Sequence, residues 1–103
     1  MITITGTVGA SGKYLVTGLP VETNTHAVLK LSFENLTSGT NLALCAGSVA
    51  DFNAGNAGLQ LSDSGGPGFM FLTIIDTHKI AGKVIYVLRA VGSANSEFRL
   101  IVD

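Results

Sequence analysis

Few residues in this chain can do chemistry, and their spacing limits what they can do. Two histidines, His26 and His78, and one cysteine, Cys45, are the only soft ligands. Neither histidine has a second ligand at helical or hairpin spacing, so the sequence offers no tetrahedral zinc set. Asp51, Asp63 and Asp76 fall in or near loops, but no run of alternating aspartates closes on a glycine as a calcium loop requires. Solvated loop carboxylates are the simpler reading, and no metal or cofactor is expected. Gly9-Ala10-Ser11-Gly12-Lys13 is glycine-rich, yet Tyr14 follows where a phosphate loop carries Ser or Thr and opens a helix. Ser64, with Asp51 and His26 upstream, supplies the residue types of a nucleophile, an orienter and a base. His26, however, starts a strand on its polar face, and the Gly65-Gly66-Pro67 stretch beside Ser64 is turn chemistry. The seven acids fall mostly at strand ends or on wet faces, and none marks out a pair for glycoside hydrolysis. No catalytic residue is assigned, and the chain is expected to catalyse nothing.

The elements that position these residues are strands. Short runs rich in Val, Ile, Thr, Leu and Phe are broken by Gly, Asn, Ser and Pro, and no window carries a 3.6-residue apolar period. Strands are predicted over 2–8, 13–18, 26–34, 40–46, 68–76, 83–91 and 97–102, with a short extra one over 58–62. Turn residues sit between them, as at Ser38-Gly39 and Ala81-Gly82. Seven or eight short strands with turns every 8–12 residues predict an all-β chain, a single antiparallel β-sandwich of jelly-roll type filling 1–103. The N-terminus reads as a strand from the start, with no basic and apolar leader ahead of it, so no signal peptide is expected.

Alternation marks the buried faces. Ala27, Leu29, Leu31 and Phe33 share one face opposite His26, Lys30, Ser32 and Glu34; Phe98, Leu100 and Val102 point in while Glu97 and Arg99 point out. Two strands break the pattern. Over 69–75 both faces are apolar, and over 84–91 a second face carries Ile85, Val87 and Val91. Met70, Leu72, Ile74, Ile85, Val87 and Val91 are therefore the candidate interface, to be covered by a long loop or a neighbouring subunit. The segment 47–68 is the candidate contact loop, with Asp51, Phe52, Asn53 and Asn56 its contact residues. Cys45 lies in the apolar run Leu42 to Ala46, where a lone cysteine is a small inert hydrophobe.

Charge supports a covered surface. Only 13% of the 103 residues are charged, about half the share of a typical soluble domain, so apolar surface must face water or a partner. The net charge is −1 and the six basic residues are scattered, which argues against nucleic acid and anionic membrane surfaces as partners.

Three resemblances follow, two from particular residues and one from overall character. Ser62-Asp63-Ser64-Gly65-Gly66-Pro67 resembles the nucleophile segment of trypsin-like serine proteases, but over six residues only. Ser62 stands where that family carries glycine, and the family needs two packed barrels and about twice this length. Gly6-Thr7-Val8, Leu29-Lys30-Leu31, Gly39 to Leu44, Val84 to Ala90 and Phe98 to Val102 together resemble the strand rhythm of the bacterial pre-peptidase C-terminal domain. That implies a jelly-roll sandwich; Asn41 stands in the stretch where the family tends to carry aspartates. In overall character, small, charge-poor and rich in Gly, Ala, Ser and Thr, the chain resembles the capsid decoration or cement proteins of tailed bacteriophages. This resemblance implies a homo-oligomer, a trimer by preference, seated on a capsid or other virion protein and assembled in the host cytoplasm. The competing expectation is a monomeric module for a small ligand or carbohydrate. The absence of Trp and the placement of Tyr14 and Tyr86 within strands weigh against a carbohydrate platform.

Overall fold

Strands buried on one face pair into sheets and then need a second layer over that face. A computed structural model describes residues 1–19, 28–64, 66–91 and 95–103, without the side chains of Ser64, Ala90 and Val91. It shows β1 (Ile2–Val8), β2 (Lys13–Val16), β3 (Val28–Asn35), β4 (Asn41–Gly47), β5 (Leu59–Ser64), β6 (Met70–Asp76), β7 (Val84–Val91) and β8 (Ser96–Val102). A short helix, α1 (Val49–Ala54), precedes β5, and a 3₁₀ turn over Thr77–Ile80 follows β6. Among the described residues no helix is long and apolar enough to cross a membrane.

The strands form two four-stranded sheets, β1-β8-β3-β6 and β2-β7-β4-β5, and every strand pairing is antiparallel. Successive strands change sheet at every connection except β4 to β5. This is the double-sheet jelly-roll order that the strand rhythm predicted.

The core fills the space between the sheets. Leu31 and Phe33 of β3, Leu42 and Leu44 of β4, Val87 of β7, and Phe98 and Leu100 of β8 are all fully buried there. Phe98 stands edge-on to Tyr14 at 5.1 Å and tilted against Phe33 at 5.8 Å, linking both sheets through aromatic contacts. Gly6, opposite Phe98 in the β1–β8 ladder, gives these rings their room: a Cβ there would lie 2.7 Å from the Tyr14 ring.

Three expectations are corrected. Ile85 and Val87 face this chain's own core rather than an interface; the outward row of β7 is Val84, Tyr86 and Leu88. The physical reason is register, because Ile85 and Val87 pair with the core-facing Ala46 and Leu44 of β4. The side chain of Val91 lies outside what is described, as do His26 and Ala27. The third correction is α1, in a region read as loop. Ser48 caps it through a reciprocal box with Asp51, and Gly55 closes it in the left-handed region at φ 75°.

One buried polar cluster holds the β3–β4 connection. Asn35, fully buried, donates from Nδ2 to the Thr40 carbonyl at 2.9 Å and accepts from the Thr37 amide at 3.0 Å. Each backbone group orphaned in a dry site costs roughly 1–3 kcal/mol. Asn35→Leu, with the same branching but without the amide, is expected to lower unfolding free energy by about 2–4 kcal/mol with the urea m-value unchanged. A loss below about 0.5 kcal/mol, within ordinary surface scatter, would show that the turn is held by other contacts.

Candidate interaction surfaces

Once the core is closed, each sheet keeps an outer face, and the two are treated differently. On the second sheet, α1 and the residues after it lie over β4 and β7. Phe52 packs edge-on against Tyr86 at 5.5 Å, and the Tyr86 hydroxyl donates to the Asn56 carbonyl at 2.6 Å. Lys13 Nζ donates to the Asn53 carbonyl and sits 5.2 Å from the Phe52 ring centroid. Asp51 accepts from the Ser48 amide at 3.1 Å. The contact-loop residues Asp51, Phe52, Asn53 and Asn56 are thus brought together, but four of these five contacts hold the segment on its own sheet. Only the side chains of Asn53 and Asn56 stand exposed.

Under this cover lie Ala43, Cys45 and Tyr86, packed with Phe52, Val84 and Leu88. Gly47 and Gly58 are needed here, since a Cβ on either would press on the Tyr86 hydroxyl, at 2.8 and 3.2 Å. Burial, reinforced by the charge of Asp63, pushes the Cys45 thiol up from an ordinary value near 9.0 to about 11. The Tyr86 phenol is also raised, first by burial and then by Cys45 and Asp51. Beside the cover is a shallow groove of about 420 Å³, with Ala43 and Leu88 as apolar lining and Ser11, Lys13, Asn53 and Gln60 as polar lining.

The first sheet's outer face has no such lid among the described residues. Its rows follow from register: Lys30 beside Ile74, Ser32 beside Leu72, Glu34 beside Met70, with Arg99 on the other side of Glu34. Glu34 is buried at 7% exposure because the turn after β5 folds onto it. Its carboxylate accepts from the Gly68 amide at 3.0 Å and from Arg99. The Gly68 hydrogen bond first, and Arg99 second, hold that carboxyl below its usual range against the opposing effect of burial. Beside this polar patch the β6 side chains Met70, Leu72 and Ile74 stand 44%, 60% and 61% exposed. Phe71 on the same strand, Phe69 just before it, and Val28 on β3 are exposed as well. Three of the six expected interface residues therefore form one open stripe, and two lie in the core.

The catalytic residue types do not form a described constellation. Asp51 is engaged in capping α1, His26 and Gly65 lie outside the described residues, and the side chain of Ser64 is not described. Among the described residues no three of His, Cys, Asp and Glu are grouped as metal ligands would be. His78 sits in the 3₁₀ turn, its amide donating to the Asp76 carboxylate at 2.9 Å. The clamp over Cys45 was the feature hardest to find in the sequence, although Ser48-x-x-Asp51 followed by Gly55 is a capping signal.

Two outcomes follow. Phe52→Ala removes the ring that covers Cys45, and its thiol should react with an aromatic disulfide reagent at least about tenfold faster in native buffer, a 1.4 kcal/mol gain in opening. An unchanged rate would mean that the cover is held without Phe52. The raised thiol pKa also sets a pH window. The unfolded chain loses this proton first, so stability is intact below pH 9 and falls as pH rises toward about 11. The thiol's share of the fall is roughly 1.4 kcal/mol per pH unit across that window, and in Cys45→Ala the fall should shrink by that share, leaving what the raised Tyr86 phenol contributes.

Comparison of the chain with protein-family models, with curated proteins and with solved structures finds no match.

Proposed function

We propose that this chain is a non-enzymatic structural protein that packs into an assembly through the outer face of its β1-β8-β3-β6 sheet. The observation that carries the reading is the open stripe of Met70, Leu72 and Ile74 on β6. The opposite sheet spends a helix on covering the equivalent surface, whereas this one leaves three adjacent large apolar side chains to water. A surface with so few charges has little else to keep it from associating. The assembly we favour is a virion surface, with the chain as a capsid decoration or cement protein. What supports that choice is the resemblance in size, composition and sandwich fold.

A small-ligand or carbohydrate module is the competing reading, and the 420 Å³ groove beside α1 is what favours it. The two readings differ in mass. Light scattering behind a sizing column should give a stable closed oligomer at micromolar concentration. Leu72→Lys with Ile74→Lys should weaken association on the order of 100-fold or more, since each tenfold needs only 1.4 kcal/mol and each buried lysine exceeds it. Because both sites are exposed in the single chain, its thermal midpoint should fall only by what association contributes and should lose its dependence on protein concentration. A monomer for the unaltered protein at that concentration would sink the assembly reading and leave the groove as the better site.

A further inference from the structure

We infer that the occupant of the β6 stripe is a second copy of this chain, joined edge to edge by antiparallel pairing of β6 with β6 about a two-fold axis at Leu72. The inference rests on the assembly reading above and adds the partner and the register.

β6 ends its sheet, pairing only with β3, so among the described residues no strand is hydrogen-bonded into a ladder on its other side. β5 of the second sheet comes near it, and the Leu61 carbonyl accepts from Thr73 Oγ1 at 2.9 Å. Natural edge strands are blunted by charge, proline or a bulge. From Met70 to Ile75 β6 has no charge and no proline, and its ladder with β3 runs without a register shift. The other edges are better defended: β2 carries Lys13, β5 carries Asp63 and a shifted ladder with β4, and β1 turns Thr3, Thr5 and Thr7 outward. Phe71 gives a second sign. It points to the same face as buried Ile75, yet is 43% exposed, because it lies where the sandwich opens at the edge of β6. A neighbouring strand would set apolar side chains of the second copy beside Phe71 on one face and beside the stripe on the other, which a partner lying flat on the sheet would not.

The register follows from matching residue types. An axis at Leu72 sets Leu72 against Leu72, Met70 against Ile74, Phe71 against Thr73 and Phe69 against Ile75. Moved one residue to Thr73, the axis would set Met70 against the carboxylate of Asp76. Lys30 flanks Ile74 and Glu34 flanks Met70 in the β3 ladder, so each row across the joint runs Lys30, Ile74, then Met70 and Glu34 of the second copy, with Glu34 already neutralised by Arg99 and no like charges facing each other. An isologous two-fold contact of this kind makes a closed pair, and it stands in place of the three-fold symmetry that the resemblance to capsid decoration proteins implies.

Engineered cysteines test the register directly. Facing residues in an antiparallel ladder have Cα atoms about 4.5–5.5 Å apart, inside the roughly 4.4–6.8 Å span of a disulfide. Cys45 is fully buried and does not compete. Under mild oxidation Leu72→Cys should form a disulfide-linked dimer at least about tenfold faster than Val28→Cys, an exposed site off the edge, because the facing pair is already held in reacting geometry. Met70→Cys alone should not link, whereas a mixture of Met70→Cys and Ile74→Cys should. An oligomer by light scattering with no Leu72 linkage, or with Val28 linking equally fast, overturns the β6 pairing and leaves the assembly reading intact. A monomer for the unaltered protein, with no linkage at either site, overturns both.

Discussion

Leu31, Phe33, Leu42, Leu44, Val87, Phe98 and Leu100 meet between the two sheets with no surface left to water, and each would lose roughly 1.5–3 kcal/mol if it were exposed instead. That shared layer sets the register of every strand, since a slip of one residue would turn these side chains out and the polar ones in. It also explains small details elsewhere. Gly6 lacks a side chain so that the Tyr14 and Phe98 rings can meet beside it, and Arg89, at the end of β7, donates to the Val8 and Gly9 carbonyls and ties the two sheets together at their rim.

The layer leaves two outer faces, and their contrast is the main functional clue. The second sheet carries apolar Ala43, Cys45 and Leu88 outward and hides them under α1, held by Phe52, by the Tyr86 hydroxyl and by Lys13. The first sheet carries threonines, an ion pair and a lysine outward over three strands, then ends in Met70, Leu72 and Ile74. Among the described residues one outer face has a dedicated lid and the other has none. The groove beside α1 is lined by Ala43 and Leu88 together with the polar Ser11, Lys13, Asn53 and Gln60.

Much of the fold was legible beforehand because one-sided strands write their burial as alternation. Leu29, Leu31 and Phe33, and Phe98, Leu100 and Val102, were assigned to the core by that rule, and they are buried. The rule fails where both faces are apolar. In β7 nothing local distinguishes Ile85 and Val87 from Val84, Tyr86 and Leu88, and the inward set is chosen by the pairing with Leu44 and Ala46 across β4. α1 was missed because six residues with no buried side chain carry no apolar period; only its caps mark it. Of the candidate site, the β6 stripe was legible as an excess of apolar residues, but its position at a sheet edge was not.

By itself the sequence determined the all-β class, the strand rhythm, the placement of most turns and the scarcity of charge, because each depends on residues close together in the chain. Tertiary structure alone decided which strand lies at an edge, which apolar face is covered from within the chain, and that Glu34 is held by both Gly68 and Arg99. Those outcomes join residues tens of positions apart, and the free energy that selects them exists only once both sheets are in contact.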